Sequence, residues 1–252
     1  YPEATAPRWE RFLNEIFEWN TDLIDYIQRA IGYSLTGHSS ERAFFILHGN
    51  GRNGKSTFVE TTSAILGEDY AAGMPTESLY TRKHDGGVPN DTARLRGARF
   101  VSASEGEDGK HLAVAKIKQL TGNEKITTRH MRGEWFDYLV AFKVWFSTNH
   151  KPEITESAEA IWDRVKLIPF NKRFTDEEKD PHLRLALLKE SPGILTWAVN
   201  GARKWYEHGL GDCEAVRAAT NDYRKDSDLV GKFLEECCEV GAGKEIRSKS
   251  LY

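Results

Sequence analysis

At 252 residues, 39% of them hydrophobic and 29% charged, the chain has room for one sizeable core plus helical flanks and the balance of a soluble globular protein. A formal net charge of −3 excludes a protein that coats duplex DNA through overall positive charge, so any nucleic-acid contact has to be local. No apolar run is long enough to span a bilayer and the opening YPEATAPRWERF lacks the apolar stretch of a signal peptide, which together imply a cytoplasmic protein with no membrane partner.

In chain order, apolar residues at Trp9, Phe12, Leu13, Ile16 and Phe17, then at Leu23, Ile24, Tyr26, Ile27 and Ile31, predict two short helices broken near Asn20-Thr21-Asp22. The run Ala43-Phe44-Phe45-Ile46-Leu47 reads as a buried strand. Next comes Gly49-Asn50-Gly51-Arg52-Asn53-Gly54-Lys55-Ser56-Thr57, which holds the spacing G-x-x-x-x-G-K-S, and then a helical pattern with Phe58, Val59, Ile65 and Leu66 on one side. Strand, glycine loop and helix follow in the order a phosphate-binding loop needs. The glycines let successive N–H groups turn toward phosphates, and the helix N-terminus adds the positive end of its dipole. Residues 49–57 are therefore the candidate ATP-binding segment, with Lys55 reaching the β- and γ-phosphates and the Ser56 hydroxyl ligating Mg²⁺.

Gly67 to Val88 is rich in Gly, Pro, Thr and charge and predicts loop and short helix, with Lys83, His84 and Asp85 in a solvated loop. Phe100-Val101-Ser102-Ala103 predicts a second core strand, followed by Glu105-Gly106-Glu107-Asp108. In open α/β sheets the ligand lies beyond the carboxyl ends of the strands, so Glu105 and Glu107 become candidate catalytic carboxylates, one holding hydrated Mg²⁺ and one orienting water.

Between Lys110 and Arg132 six Lys or Arg and two His face a single acid, Glu124, which makes this the one conspicuously basic segment of an acidic chain. Leu112 to Leu120 predicts a helix. Ile126 to His130 and Trp135 to Leu139 predict strands joined around Met131-Arg132-Gly133, a hairpin whose basic tip can reach a phosphate backbone.

Phe142 to Thr148 predicts a third core strand ending at Asn149, an uncharged amide placed to sense a γ-phosphate or its attacking water. A short helix, Arg164 and another apolar strand follow up to Phe170. From Asn171 the chain predicts helices over Thr175 to Lys189, Pro192 to His208, Cys213 to Arg224 with Asp212 as N-cap, and Asp228 to Cys238. Cys213, Cys237 and Cys238 lack metal or disulfide spacing.

The succession GNGRNGKST, ARLRGARFVSASEGED, IKQLTGNEKITTRHMRGEWFDY, FKVWFSTNHKP and AIWDRVKLIPF, from about Ala43 to Phe170, resembles the superfamily three helicase domain of phage and plasmid primase-helicases, a group related to the poxvirus primase-helicase. The resemblance implies an α/β, AAA+-like P-loop NTPase core that assembles into a ring, usually a hexamer, and hydrolyses ATP between subunits while translocating 3′ to 5′ on single-stranded DNA. It assigns Lys55 and Ser56 to Walker A, Glu105 and Glu107 to Walker B, Asn149 to the sensor and Arg164 to an arginine finger. Lys118, Arg129, His130 and Arg132 fall in the motif of the pore hairpin. Gly106 separates two acids that are often adjacent in such helicases, so either carboxylate is a candidate for activating water.

The organisation this implies is a collar-like helical region over 1–40, the ATPase core over 41–172 and a C-terminal helical region over 173–252, leading after Gly241 toward a winged-helix module. The chain opens on Tyr1 and stops after KEIRSKSLY, which suggests a piece excised from a longer polypeptide. In the family a linked primase domain precedes the motor, and the setting is a bacterial host cell. Two other readings share the glycine loop: a P-loop phosphotransferase, which needs an acceptor pocket and ignores DNA, and a non-unwinding replication initiator or assembly ATPase.

Overall fold

A computed structural model describes residues 3–81, 90–104, 108–154 and 159–228, with isolated positions further on. Helices α1 (Pro7–Ile16) and α2 (Thr21–Thr36) lead into strand β1 (Phe44–His48), helix α3 (Lys55–Tyr70), strand β2 (Ala71–Gly73), a 3-10 turn (Thr76–Leu79) and α4 (Asn90–Ala93). Then come β3 (Phe100–Ser104), α5 (Val114–Thr121), the hairpin strands β4 (Lys125–Arg129) and β5 (Trp135–Leu139), β6 (Lys143–Thr148), α6 (Glu159–Trp162) and β7 (Val165–Pro169). Helices α7 (Leu183–Lys189), α8 (Ser191–His208) and α9 (Glu214–Ser227) follow.

The main sheet has the order β2-β3-β6-β1-β7 with every pairing parallel, and β4 and β5 form a separate antiparallel ribbon. Parallel strands covered on both faces have to be apolar on both faces, and the continuous apolar runs of β1 and β6 meet that demand. Side chains alternate accordingly. Phe45, Leu47 and Trp145 join a core with Trp9, Phe12 and Phe58, while Phe44, Ile46, Val144 and Phe146 join a second core on the opposite face with Ile117, Leu167 and Tyr223.

The break between α1 and α2 falls where the sequence predicts it. The Asn20 carboxamide accepts the Leu23 N–H at 3.0 Å as an N-cap, a bond worth about 1 kcal/mol. Helix α2 then packs on α8 at backbone contact: a Cβ built on Gly32 would lie 2.0 Å from the Ala202 nitrogen, and one on Gly201 would lie 1.9 Å from the Gln28 carbonyl oxygen. The indole of Trp145, in the middle of β6, donates to Ser34 Oγ of α2 at 3.1 Å and ties this helical layer to the sheet.

Three expectations are corrected, and three others fall wholly or partly outside the described residues. Ala71–Gly73, expected as loop, is the edge strand β2 paired with β3; two alanines and a glycine carry no apolar alternation that would announce a strand. The helix expected from Thr175 begins only at Leu183, because Pro181 disfavours helical geometry at the residue before it. Asp212 is not the N-cap of α9; Cys213 holds that position, and the Asp212 carboxylate pairs with Arg217 instead. Lys83, His84, Asp85, part of the helix expected over Asp228 to Cys238 and most of the segment after Gly241 lie outside the described residues. No described helix is long and apolar enough to cross a membrane.

Lys143, at the start of β6, is 2% exposed, with its ammonium 4.2 Å from the centre of the Tyr33 ring and donating to the Ala141 carbonyl at 3.2 Å. Burial, helped by the nearby Arg99, lowers its pKa from 10.5 to about 7. Because the unfolded chain keeps the lysine protonated up to about pH 10.4, the unfolded state binds more protons between roughly pH 7 and 10, and stability rises with pH across that window. Lys143→Met is expected to raise the unfolding free energy at pH 7 by about 1–3 kcal/mol and to flatten its rise toward pH 10, as read from denaturant titrations at both pH values. An unchanged pH slope would show that Lys143 is not held in this way.

Candidate functional site

The carboxyl ends of β1, β6 and β3 share one rim of the sheet, with His48 beside Thr148 and Ser104 beside Ser147. The glycine loop leaves β1 at that rim. Gly51, Arg52 and Gly54 have φ values of 80°, 52° and 86°, the left-handed turns that carry the chain round into α3. Side chains are excluded at two points by close approach. A Cβ on Gly49 would meet the Phe170 carbonyl oxygen at 2.3 Å, and one on Gly54 would meet Ile16 Cγ2 at 2.6 Å. The first helical bond of α3 runs from the Phe58 N–H to the Gly54 carbonyl, and no side chain caps the helix. The N–H groups of Lys55, Ser56 and Thr57 thus stand without intrahelical acceptors at the positive end of the helix dipole.

Lys55, 5% exposed, turns back over this loop. Its ammonium donates to the Gly49 carbonyl at 2.5 Å, to Asn53 Oδ1 at 3.1 Å and to Asn149 Oδ1 at 3.0 Å. An ammonium has three protons, and all three acceptors are neutral oxygens. Burial lowers its pKa to about 8, so it remains mostly charged at neutral pH. The charge is fully hydrogen-bonded, yet no described carboxylate neutralises it. Such a group gains most from an arriving anion. Asn53 also donates to the Phe170 carbonyl at 3.3 Å, which binds the loop to the end of β7.

Of the predicted site residues, the structure therefore brings together Gly49, Asn53, Gly54, Lys55 and Asn149. Asn149 lies 94 positions from Lys55 and reaches it because β6 is the neighbour of β1. Ser56 is exposed on the first turn of α3 with Thr57 half-buried beside it, and Asn50 is exposed in the loop. Arg52 points away: its guanidinium pairs with Asp176 at 3.2 Å. Glu105 and Glu107 lie outside the described residues, but the acidic segment re-enters at Asp108, whose carboxylate is 3.7 Å from Nδ1 of His150. Arg164 is not brought to Lys55. It precedes β7 at the opposite rim, roughly 16 Å along the strand, where Nη1 donates to the Ala160 carbonyl and Nε is buried with no hydrogen-bond partner among the described residues.

Reasoning from sequence passed over His48, the last residue of β1. Burial, then the nearby Lys151 and Lys55, lower its pKa and hold it neutral beside the loop. Its position directly before Gly49 was the available signal.

The basic hairpin forms as predicted, with Lys125 opposite Leu139 and Arg129 opposite Trp135. At its tip Gly133 donates to the His130 carbonyl at 2.9 Å and Arg132 adopts a left-handed φ of 61°. The Arg129 guanidinium lies 4.9 Å from the Trp135 ring centre, and His130 stacks on Phe136 at 5.3 Å. Arg132 and Met131 are exposed. Lys118 lies on α5 and is half-buried.

Residues 47–164 match a protein family described as "Family of unknown function (DUF5906)". The chain is similar to the putative helicase L207/L206 of Acanthamoeba polyphaga mimivirus, 26% identical over 227 residues, covering 83% of this chain and 24% of that protein. It is also similar to the putative helicase 022R of Frog virus 3 (27% over 230 residues, 84% and 24%) and to the putative primase C962R of African swine fever virus (19% over 253 residues, 93% and 24%). The chain thus spans about a quarter of the length of these curated relatives. Among solved structures, the apo C-terminal region of NrS-1 shares the fold at a TM-score of 0.66, with 12% identity over 92% of this chain and 56% of that one.

The Lys55–Asn149 contact can be tested without any ligand. Asn149→Ala removes one acceptor of a buried ammonium and is expected to cost about 1–3 kcal/mol of unfolding free energy. Asn149→Asp supplies the missing counter-charge and is expected to raise the Lys55 pKa. Denaturant titration and NMR titration of the lysine would read both effects; equal stability and an unmoved pKa would mean the contact does not form in solution.

Proposed function

We propose that this chain is the ATP-hydrolysing motor core of a DNA-replication helicase of the superfamily three, AAA+-like type, working as a ring on single-stranded DNA inside the cell in which the DNA is copied. One observation carries the reading: a buried ammonium, ringed by neutral oxygens, sits over a left-handed glycine loop at a helix N-terminus with an asparagine from the adjacent strand bonded to it. That is the local chemistry that receives phosphate. The similarity to viral proteins named helicases and primases supports the choice of a replication motor over a phosphotransferase.

In this reading residues 49–57 wrap the phosphates with backbone N–H groups, and Lys55 exchanges a neutral acceptor for phosphate oxygen, which restores its pKa. The exposed Ser56 hydroxyl would hold Mg²⁺, with Glu105 as the protein's carboxylate ligand. When bound, Mg²⁺ screens the phosphate charge. Asn149 orients the attacking water, and Glu105 or Glu107 accepts its proton. Arg164, remote from its own glycine loop, serves the phosphates of a neighbouring subunit. Arg129, His130 and Arg132 on the hairpin, with Lys118 of α5, form the DNA-gripping surface, with the hairpins of several subunits concentrating positive charge that the whole chain lacks. A primase activity belongs to another part of a longer polypeptide.

Lys55→Ala is expected to abolish ATP hydrolysis. Arg132→Ala is expected to leave basal hydrolysis within about twofold of the parent while removing its stimulation by single-stranded DNA, since one phosphate contact per subunit is lost at every site of the ring. A coupled ATPase assay with and without oligonucleotide reads both, and sedimentation with nucleotide reads the assembly. Monomers hydrolysing ATP at full rate, unmoved by DNA, would remove the motor reading.

A further inference from the structure

A cleft of about 660 Å³ opens between one side of α1 with the turn after it, from Arg8 to Trp19, and the segment that follows β7, from Lys172 to Asp180. The two are joined to the loop by short links. The Phe174 N–H donates to the Arg52 carbonyl at 2.8 Å, Phe17 packs on Phe170 with ring centres 4.9 Å apart, and Gly54 rests against Ile16. The wall of the cleft is thus joined to the loop through the backbone bond of Phe174 to Arg52.

The lining is unusual for a surface depression. Trp19 stands at its edge, 70% exposed, with no ring partner among the described residues. It is held there by backbone that a bulky residue rarely adopts: Glu18 and Trp19 have consecutive φ values of 50° and 62°. Helix ends that need left-handed geometry normally use Gly or Asn, so a tryptophan in that conformation is placed at a cost. The turn is nonetheless well fixed, with the Trp19 N–H on the Asn14 carbonyl and the Asn20 N–H on the Phe17 carbonyl, each at 2.9 Å. Within the same cleft is Phe174, half-buried, with the Lys172 ammonium 5.3 Å from its ring centre.

The charges of the cleft are balanced internally. Arg8 pairs with Glu15 at 3.4 Å and with Asp180 at 3.8 Å, Arg11 pairs with Glu15 at 2.8 Å, and Lys172 pairs with Glu178 at 2.8 Å. A surface whose cations are already neutralised has little to offer a further phosphate. Aromatic faces beside carboxylates and paired cations suit instead a flat, uncharged, hydrogen-bonding ring and the hydroxyls of a sugar.

We propose that this cleft receives the base and ribose of the nucleotide whose phosphates lie on the glycine loop, with Trp19 as the stacking platform for the base and the carboxylates facing the ribose hydroxyls. The proposal rests on the phosphate-binding reading of the loop and adds the residues that distinguish a nucleoside triphosphate from a bare polyphosphate. Trp19 is a binding residue here, remote from the reacting atoms.

The test compares ATP with inorganic tripolyphosphate, which carries the same charged chain and no base, using calorimetric titration of the parent chain, Trp19→Ala and Trp19→Phe. Trp19→Ala is expected to weaken ATP about tenfold while leaving tripolyphosphate affinity within twofold, and Trp19→Phe to restore most of the ATP affinity. Because the side chain is largely exposed, thermal melting of the variants should overlay the parent. If ATP binds both variants as tightly as the parent, or if Trp19→Ala weakens both ligands alike, the base site is not here, although the phosphate reading stands as long as Lys55→Ala abolishes binding. If the parent binds neither ligand, both readings fall together.

Discussion

The ammonium of Lys55 is the constraint around which the functional end of the sheet is arranged. A charge that is 5% exposed and not neutralised by any described carboxylate is expensive to bury. Three neutral acceptors from three places make it tolerable: the start of the loop, the middle of the loop and the end of β6. Each acceptor requires something else of the fold. Gly49 has to lack a side chain because the Phe170 carbonyl crowds it, Asn53 has to be bonded to that same carbonyl, and β6 has to lie beside β1. Burial still lowers the pKa of the ammonium to about 8. The same ammonium is therefore a structural tie in the free chain and, in the function proposed above, the group that meets phosphate.

Much of this was legible in the sequence for a local reason. A glycine loop between a strand and a helix is written in consecutive residues, and the alternation of Phe44, Phe45, Ile46 and Leu47 between two cores follows from the period of a strand. The hairpin was legible because β-branched and aromatic residues, Ile126, Thr127 and Thr128 on one arm and Trp135, Phe136 and Tyr138 on the other, flank Met131-Arg132-Gly133. What escaped is non-local or lacks a pattern. Strand β2 is two alanines and a glycine, and only its place beside β3 makes it a strand. The bond from Lys55 to Asn149 needs the strand order, which no periodicity reports. Arg164 could be recognised as a candidate, but its place on the far rim depends on the parallel register of β7. The fitness of Trp19 for a ligand depends on a backbone angle, and in the sequence it is one aromatic among several at a helix end.

The helical regions at the two ends of the chain are not separate from the sheet they flank. Helix α2 meets α8 with almost no side-chain layer between them at Gly32 and Gly201, and α1, α2, α7 and α8 share one apolar core with β1 and α3. The contact of Ile16 with Gly54 carries this packing up to the glycine loop itself. A substitution in the N-terminal helices therefore alters the shape of the loop through ordinary packing, without touching a phosphate.

The register of β7 has a consequence for how copies of the chain can associate. Parallel pairing puts Arg164 beside the beginning of β1 and Lys55 beyond its end, so the two groups face opposite rims of one molecule. Were Arg164 to act on a phosphate held by another copy through a head-to-tail contact, the surfaces on the two sides of that contact would be different ones. Repeating such a union closes into a circle if its rotation divides a full turn and otherwise winds into an open filament.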